Sequence, residues 1–449
     1  MHYSYQKKAL VEKSPLLGGG SSRQDPRELG LPPQCGMPET VKRELLSPMS
    51  PNSSLLGRRA AVLLFSHYPF DPRPRRAAEA LVNEGMRVEL ICLRRSKDEP
   101  TRETFNGVDI LRLPLKRRRG GPLAYLFQYS TFILSTFFLL SVRSLRRRFA
   151  LVHVHNMPDL LVFSALVPKI LGAKVILDLH DPMPELMTTI FRLEPTSSAV
   201  RLLKRLERWS TAFADLVLTV NLACKKIFAS RSCPSAKIQV VMNSPDEKIF
   251  AFRSPLPGLT DRPDPFVIMY HGSIVERNGL DLAITALAAV RRTVPGAQLR
   301  IYGDSTPFLD VVMDTVRKNG LRDAVQYFGG KSSEEIRVAI DACDVGVIPN
   351  RRAIFTEINT PTRIFEYLSR GKPVITGRAP GVQDYFAEDA LFFFELGDAD
   401  DLARCIARVF CHLEDVERVV KRGQEVYLAH RWSEERRGLV TRSAELLAR

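Results

Sequence analysis

The chain reads as an α/β protein built from two doubly wound, Rossmann-like domains that face each other across a cleft. Three observations predict this. Short apolar runs of the kind that form buried parallel strands alternate with helical patterns along most of the sequence. The alternation breaks once, in a Pro- and charge-rich stretch, and then resumes. The chain has 449 residues, 45% apolar and 26% charged, which suffices for two domains with full cores.

The first series of runs lies at 60–65, 88–92, 151–154, 174–177, 216–220 and 238–241. The second lies at 266–270, 298–302, 325–328, 345–348 and 373–375. Between them, 251–265 is expected to be a linker, which gives domains at 58–250 and 266–414. Residues 415–449 are helical in pattern and charged. Residues 1–57 are rich in Ser, Pro and Gly with no sustained period, and disorder is expected there.

A net charge of +15 and a pI near 9.6 favour anionic partners: nucleic acid, an anionic membrane surface or a phosphorylated substrate. Basic residues are not interleaved with aromatics and no RNA-binding signature is present, so nucleic acid is not expected. The seven cysteines are scattered without a C-x-x-C pair. They read as reduced core thiols of a cytosolic protein rather than disulfides or metal ligands. No apolar run follows the N-terminal charges, so a signal peptide is not expected.

Residues 122–142 carry no charge over 21 positions, the length of a membrane span. Lys116, Arg117, Arg118 and Arg119 precede them, and Arg143, Arg146, Arg147 and Arg148 follow. A span is rejected because strands of one sheet lie on both sides. Two readings remain: a long core helix, or a helix that packs on the sheet while offering apolar and basic residues to an anionic leaflet. The second is expected, with peripheral association at the inner face of the cytoplasmic membrane.

The densest chemistry lies at 359–375. Thr360 suits an N-cap, Pro361 the first helical position and Gly371 the C-terminal stop of a short helix. Its opening turn offers backbone N–H groups and a positive dipole end to a diphosphate, and Arg363 adds a fork of donors. Glu366 shares a face with Thr362 and Arg363, where a carboxylate can hold ribose hydroxyls. A capped amphipathic helix with a solvated Glu366 fits the same spacing.

This segment resembles the donor-binding signature of GT-B glycosyltransferases of family 4, and the resemblance runs from about Arg59 to the C-terminus. It implies the GT-B fold and a retaining sugar transfer from a UDP- or GDP-sugar to a hydroxyl of a lipid-linked or polysaccharide acceptor. It also implies a closing helix that returns to the first domain. No metal or other cofactor is expected: Asp398, Ala399 and Asp400 read as a helix cap rather than a metal motif.

His180, Asp181 and Glu185 follow the strand at 174–177, at the edge where ligands of open α/β sheets gather. They look like the family's acceptor-side loop, in which the His touches the transferring sugar. The loop at 66–76 takes the place of a Gly-rich turn, so phosphate contact is expected from Arg73 or Arg75. After the strand at 266–270 the family places a basic residue behind the first glycine and a Lys before the second. Gly272 is the first glycine, but Ser273 and Asn278 occupy the basic positions, with Arg277 adjacent.

The donor set is therefore Gly272, Ser273, Arg277, Asn278, Thr362, Arg363, Ile364 and Glu366. The catalytic set is His180, Asp181 and Arg363, and the acceptor-side set is Arg73, Asp181 and Glu185. The first acid of the family's pair is replaced by Ile358, with Glu357 one position out of register. Those departures keep two alternatives open: an inactive GT-B scaffold protein, and a GT-B nucleotide-sugar epimerase or hydrolase.

Overall fold

The computed structural model describes residues 54–115, 122–255 and 264–448. The expected disordered segment 1–57 lies almost wholly outside these residues, as do 256–263 of the expected linker and Lys116 to Arg119.

The first sheet opens with Arg59–Leu64 (β1), helix Pro72–Asn83 (α1) and strands Arg87–Leu93 (β2), Arg102–Phe105 (β3) and Val108–Leu113 (β4). Helix Pro122–Arg146 (α2) leads to Leu151–His155 (β5), helix Leu166–Ile170 (α3) and Lys174–Leu179 (β6). Helices Met183–Phe191 (α4) and Ser198–Phe213 (α5), strand Leu216–Thr219 (β7), helix Leu222–Arg231 (α6) and strand Ile238–Val240 (β8) complete it. The strand order is β3-β4-β2-β1-β5-β6-β7-β8; every pairing is parallel except β3 with β4. The hairpin β3–β4 escapes the sequence reading because its half-exposed edge carries charges instead of a continuous apolar run.

The second sheet alternates Phe266–His271 (β9), Leu280–Val290 (α7), Ala297–Tyr302 (β10), Pro307–Lys318 (α8), Val325–Tyr327 (β11) and Ser333–Asp341 (α9). It continues through Val345–Ile348 (β12), the short helices Ile354–Ile358 (α10) and Thr362–Ser369 (α11), Val374–Gly377 (β13), Pro380–Gln383 (α12) and Phe392–Phe394 (β14). The order is β11-β10-β9-β12-β13-β14. In each sheet the chain crosses from one side of its first strand to the other, creating switch points at β1/β5 and β9/β12. Ligands of open α/β sheets bind beyond the strand C-termini at such points, and both candidate sites lie there.

The last helices are Ala399–Cys411 (α13), Leu413–Ala429 (α14) and Trp432–Ala448 (α15). Asp398 caps α13 by accepting from the amides of Asp400 and Asp401 at 2.9 Å. The segment 415–449 does not return to the first lobe as a whole. Val416, Val419, Val420 and Tyr427 of α14 stay in second-lobe cores. Only α15 crosses, placing Leu439, Val440, Ala444 and Leu447 in the core that α1 shares with β1 and β2. Glu435 Oε2 accepts from Met242 N at 2.7 Å, and Arg436 pairs with Glu84 at 2.8 Å.

Among the described cysteines none is paired. Cys92, Cys224, Cys233 and Cys343 are buried, whereas Cys411 is exposed and so is not a core thiol.

Leu439→Ala should destabilise the protein by about 2–5 kcal/mol through the cavity it opens, read as a lower urea midpoint. An unchanged midpoint would remove α15 from the first-lobe core.

Candidate active site

The chain leaves β9 through His271 and Gly272. Gly272 has φ +123°, and a Cβ there would lie 3.3 Å from Arg363 Nη1, so the glycine keeps space for the guanidinium. Arg363, in the first turn of α11, donates from Nη1 to His271 O at 2.7 Å. Its guanidinium also sits 5.2 Å from the centre of the Tyr270 ring. Two contacts thus fix its aim while other N–H groups stay available.

Glu366 lies one turn along α11. Its Oε2 is 3.3 Å from His271 Nε2, but the pair is not aligned and that nitrogen has no hydrogen-bond partner. Burial, aided by the Arg363 charge, pushes the His271 ring down to about 3, so it is neutral. Burial pushes the Glu366 carboxyl up to about 7, against the pull of Arg363 and Arg76. The carboxyl therefore stands at the cleft short of donors.

Across the cleft, Asp178 ends β6 fully inside the lobe. Arg73 of α1 grips it from two nitrogens, Nη2 to Oδ1 at 2.7 Å and Nε to Oδ2 at 3.1 Å, and donates from Nη1 to Val241 O at 2.7 Å. Three imidazoles surround Oδ2: His155 Nδ1 at 3.3 Å, His153 Nε2 at 3.6 Å and His180 Nε2 at 3.7 Å. Burial opposes ionisation of Asp178, yet Arg73 and these rings hold it well below the usual carboxylate range. Burial, with its neighbour His153, pushes His155 down to about 4, and burial pushes His180 well below the usual imidazole range.

His155 Nδ1 also lies 3.0 Å from His180 Nε2. With the Asp178 anion beside it, the proton belongs on His155 Nδ1, and His180 Nε2 is the acceptor. His180 then carries its own proton on Nδ1. Asn156 fixes the loop: its Oδ1 accepts from His180 N at 2.8 Å and its Nδ2 donates to Asp181 O at 3.0 Å. Burial pushes Asp181 up to about 6, while Arg277 from the other lobe and Arg73 draw it back. The lobes meet at the floor, where Asn221 Nδ2 donates to Ile358 O at 2.9 Å and Thr360 Oγ1 at 3.1 Å.

Comparison with known proteins matches both lobes. A glycosyl transferase 4-like domain corresponds to residues 71–244 and a glycosyl transferases group 1 domain to 258–426. The chain belongs to the GT-B glycosyltransferases of family 4. A GDP-mannose-dependent alpha-(1-6)-phosphatidylinositol monomannoside mannosyltransferase of Mycobacterium tuberculosis is 29% identical over 179 residues, covering 38% of this chain and 46% of that protein. Sucrose-phosphate synthase of Thermosynechococcus elongatus superposes with a TM-score of 0.70 at 18% identity over 87% of this chain and 99% of that one. Anabaena HepE in complex with UDP-glucose gives 0.64 at 15% identity, with coverages of 87% and 99%. The chain spans 40–46% of the length of the first curated relatives it matches.

Within this GT-B frame several expected residues take other roles. Arg73 is buried and turns Nε and Nη2 to Asp178 and Nη1 to Val241 O. Arg75 pairs with Glu79 at 3.0 Å on the surface of α1. The arginine whose charge reaches Glu366 is the third of the cluster, Arg76, buried 5.3 Å from the Trp432 ring centre. Glu185 is not an acceptor-side acid: it binds Arg231 at 2.6 Å, and Arg231 also holds the fully buried Glu207 at 2.6 Å. That triad ties α4, α5 and α6 together.

Asn278 braces its own loop, donating to Ser273 O at 2.7 Å beside the Tyr270 hydroxyl, also at 2.7 Å. Neither Asn278 nor Ser273 replaces a basic residue. The amide of Ile364 is occupied by Pro361 O at 3.0 Å and its side chain is buried, so Thr362 and Arg363 supply the free amides of the turn. Pro361, not Thr360, holds the N-cap position, because Thr360 Oγ1 donates instead to Gly381 O at 2.6 Å. Ile358 packs against the first-lobe core, and Glu357 pairs with Arg352 at 3.0 Å; no acid occupies the first position of the family pair.

Sequence reasoning missed His153, His155, Asp178 and His271. The alternation His-x-His on β5 with Asp178 on β6 and His180 just past its end was the available signal, since parallel register sets His155 opposite Asp178. Ligand atoms of His153, His155 and Asp178 lie within 4.8 Å of one another, a donor set that suits a transition metal. Arg73 already supplies positive charge to that carboxylate from 2.7 Å, so the cluster is built as an ion pair with attendant imidazoles.

Neither His155 nor His180 should titrate between pH 8 and 5.5, since the first is held near 4 and the second well below its usual value. Nitrogen-15 shifts of the imidazoles should show His180 neutral with its proton on Nδ1 throughout. A midpoint near 6.5, the ordinary imidazole value, would contradict the cluster.

Proposed function

We propose that the chain transfers a hexose from a UDP- or GDP-sugar to a hydroxyl of a lipid-linked or polysaccharide acceptor, with retention at the anomeric carbon and without a metal ion. The observation that carries this reading is the α11 cradle. A guanidinium aimed by His271 O, two free amides at a helix N-terminus and an underpaired carboxyl meet at the β9/β12 switch point. That is the donor complement of a nucleoside diphosphate. The relatives that bear the names of a GDP-mannose-dependent enzyme and of a UDP-glucose complex support a nucleotide sugar as donor.

In this mechanism the diphosphate lies on the amides of Thr362 and Arg363 and under the Arg363 guanidinium. Glu366 accepts from the ribose hydroxyls. His180 Nδ1–H binds a hydroxyl of the sugar. As the glycosidic C–O bond breaks, negative charge grows on the β-phosphate oxygen, where Arg363 and Arg277 stabilise it in place of a cation. The acceptor hydroxyl attacks from the same face, and its proton passes to the departing phosphate oxygen. Closure of the lobes excludes water, which would otherwise take the sugar.

Asp181, pushed up to about 6, is the group that would activate water in a hydrolase. Product analysis with a donor panel separates the readings. A new glycoside supports transfer, free sugar in quantitative yield assigns hydrolysis, and no turnover despite binding assigns a scaffold.

Glu366→Gln should weaken nucleotide-sugar affinity by about 1–3 kcal/mol, the worth of a hydrogen bond to a charged acceptor. Equal affinity would remove Glu366 from the site. Because the free carboxyl titrates near 7 and the bound one must be ionised to accept two hydroxyls, binding expels a proton below that pH. Affinity should therefore rise with pH up to about 7, by at most about tenfold per unit, and level off above it. Calorimetry in buffers of different ionisation heat should record the released proton at pH 6 and almost none at pH 8.

A further inference from the structure

We propose that the outer face of α2 docks on an anionic lipid bilayer, with the helix lying in the plane of the interface. Helix α2 is long and apolar enough to span a membrane, yet only 17% of its apolar window is buried. It is therefore not a core helix, and it cannot span, because β4 before it and β5 after it belong to one sheet.

Its inner face is fixed. Phe132, Thr136, Leu140 and Ser144 are buried, and Thr136 Oγ1 lies 3.2 Å from Ser164 Oγ. The opposite face carries Phe127, Leu134, Phe138 and Leu145, exposed by 73%, 56%, 64% and 71%. Steps of seven, four and seven residues keep all four within about 20° of one line at about 100° per residue. The line runs about 27 Å at about 1.5 Å per residue. An exposed row of large apolar side chains of that length on a soluble fold marks an interaction surface.

The charge at its ends selects the occupant. Arg146 closes the helix and Arg147 and Arg148 follow it, all three exposed, and Lys116, Arg117, Arg118 and Arg119 precede it in sequence. A second copy of the chain would bring like charges together. Anionic headgroups with acyl chains beneath them match both the exposed arginines at the C-terminal end and the apolar row. This inference stands on α2 alone and does not depend on the chemistry of the cleft.

The test is co-sedimentation of the full chain with vesicles of phosphatidylcholine alone or mixed with phosphatidylglycerol. Wild type should partition to the mixed vesicles and not to the neutral ones, and added salt should weaken it. The double variant Leu134→Ser/Phe138→Ser and the triple variant Arg146→Gln/Arg147→Gln/Arg148→Gln should each lower partitioning by about tenfold or more, with urea midpoints unchanged. Equal partitioning by either variant, equal binding to both vesicle types, or no binding by wild type would overturn the proposal. So would a lipid-free dimer that Phe138→Ser dissociates, which would assign the row to a second copy.

Discussion

The cleft depends on one buried ion pair. Asp178 ends β6 inside the first lobe, where a lone carboxylate would be several kcal/mol too costly to ionise. Arg73 answers it in bidentate fashion and ties α1 to β6. The surviving negative charge then organises His153, His155 and His180. Burial keeps His155 and His180 neutral, and the anion places the proton of His155 on Nδ1. Remove the pair and three imidazoles lose their reference charge, and the His155–His180 contact loses the anion that orders it.

The second lobe solves the opposite problem. There a cation, Arg363, is held by a backbone carbonyl and an aromatic ring rather than by an acid. Gly272 has no side chain to block Arg363, His271 O aims it, and Tyr270 lies beneath it. Glu366 is the exception, an acid in a basic wall whose burial raises it to about 7. A carboxyl so short of donors is the feature on which the proposed ribose contact rests. Arg277 and Asp181, on opposite lobes, each feel the other's charge.

Much of this was legible from sequence, for reasons that differ by element. Parallel strands buried on both faces are continuous apolar runs, so most of both sheets could be read directly. The hairpin β3–β4 could not, because its residues alternate with charges at a sheet edge. Arg363 and Glu366 were readable from their spacing on a short helix. Arg73, Arg75 and Arg76 were not separable, since which arginine meets a carboxylate depends on helix phase against a distant strand. Glu185 misled for a similar reason: its partner Arg231 lies on α6, 46 residues along the chain. Asn278 and Ser273 read as missing cations, whereas their contacts show a loop stiffened by its own hydrogen bonds.

The central claim is that the α11 turn and the β9/β12 switch point hold a nucleotide sugar. A crystal structure of the chain with a UDP- or GDP-sugar tests it most directly. The diphosphate should lie on the Thr362 and Arg363 amides and the Arg363 guanidinium, the ribose hydroxyls on Glu366, and the sugar within hydrogen-bonding reach of His180. A nucleotide seated elsewhere, such as the arginine-lined groove between α2 and the β2–β4 edge, would contradict it.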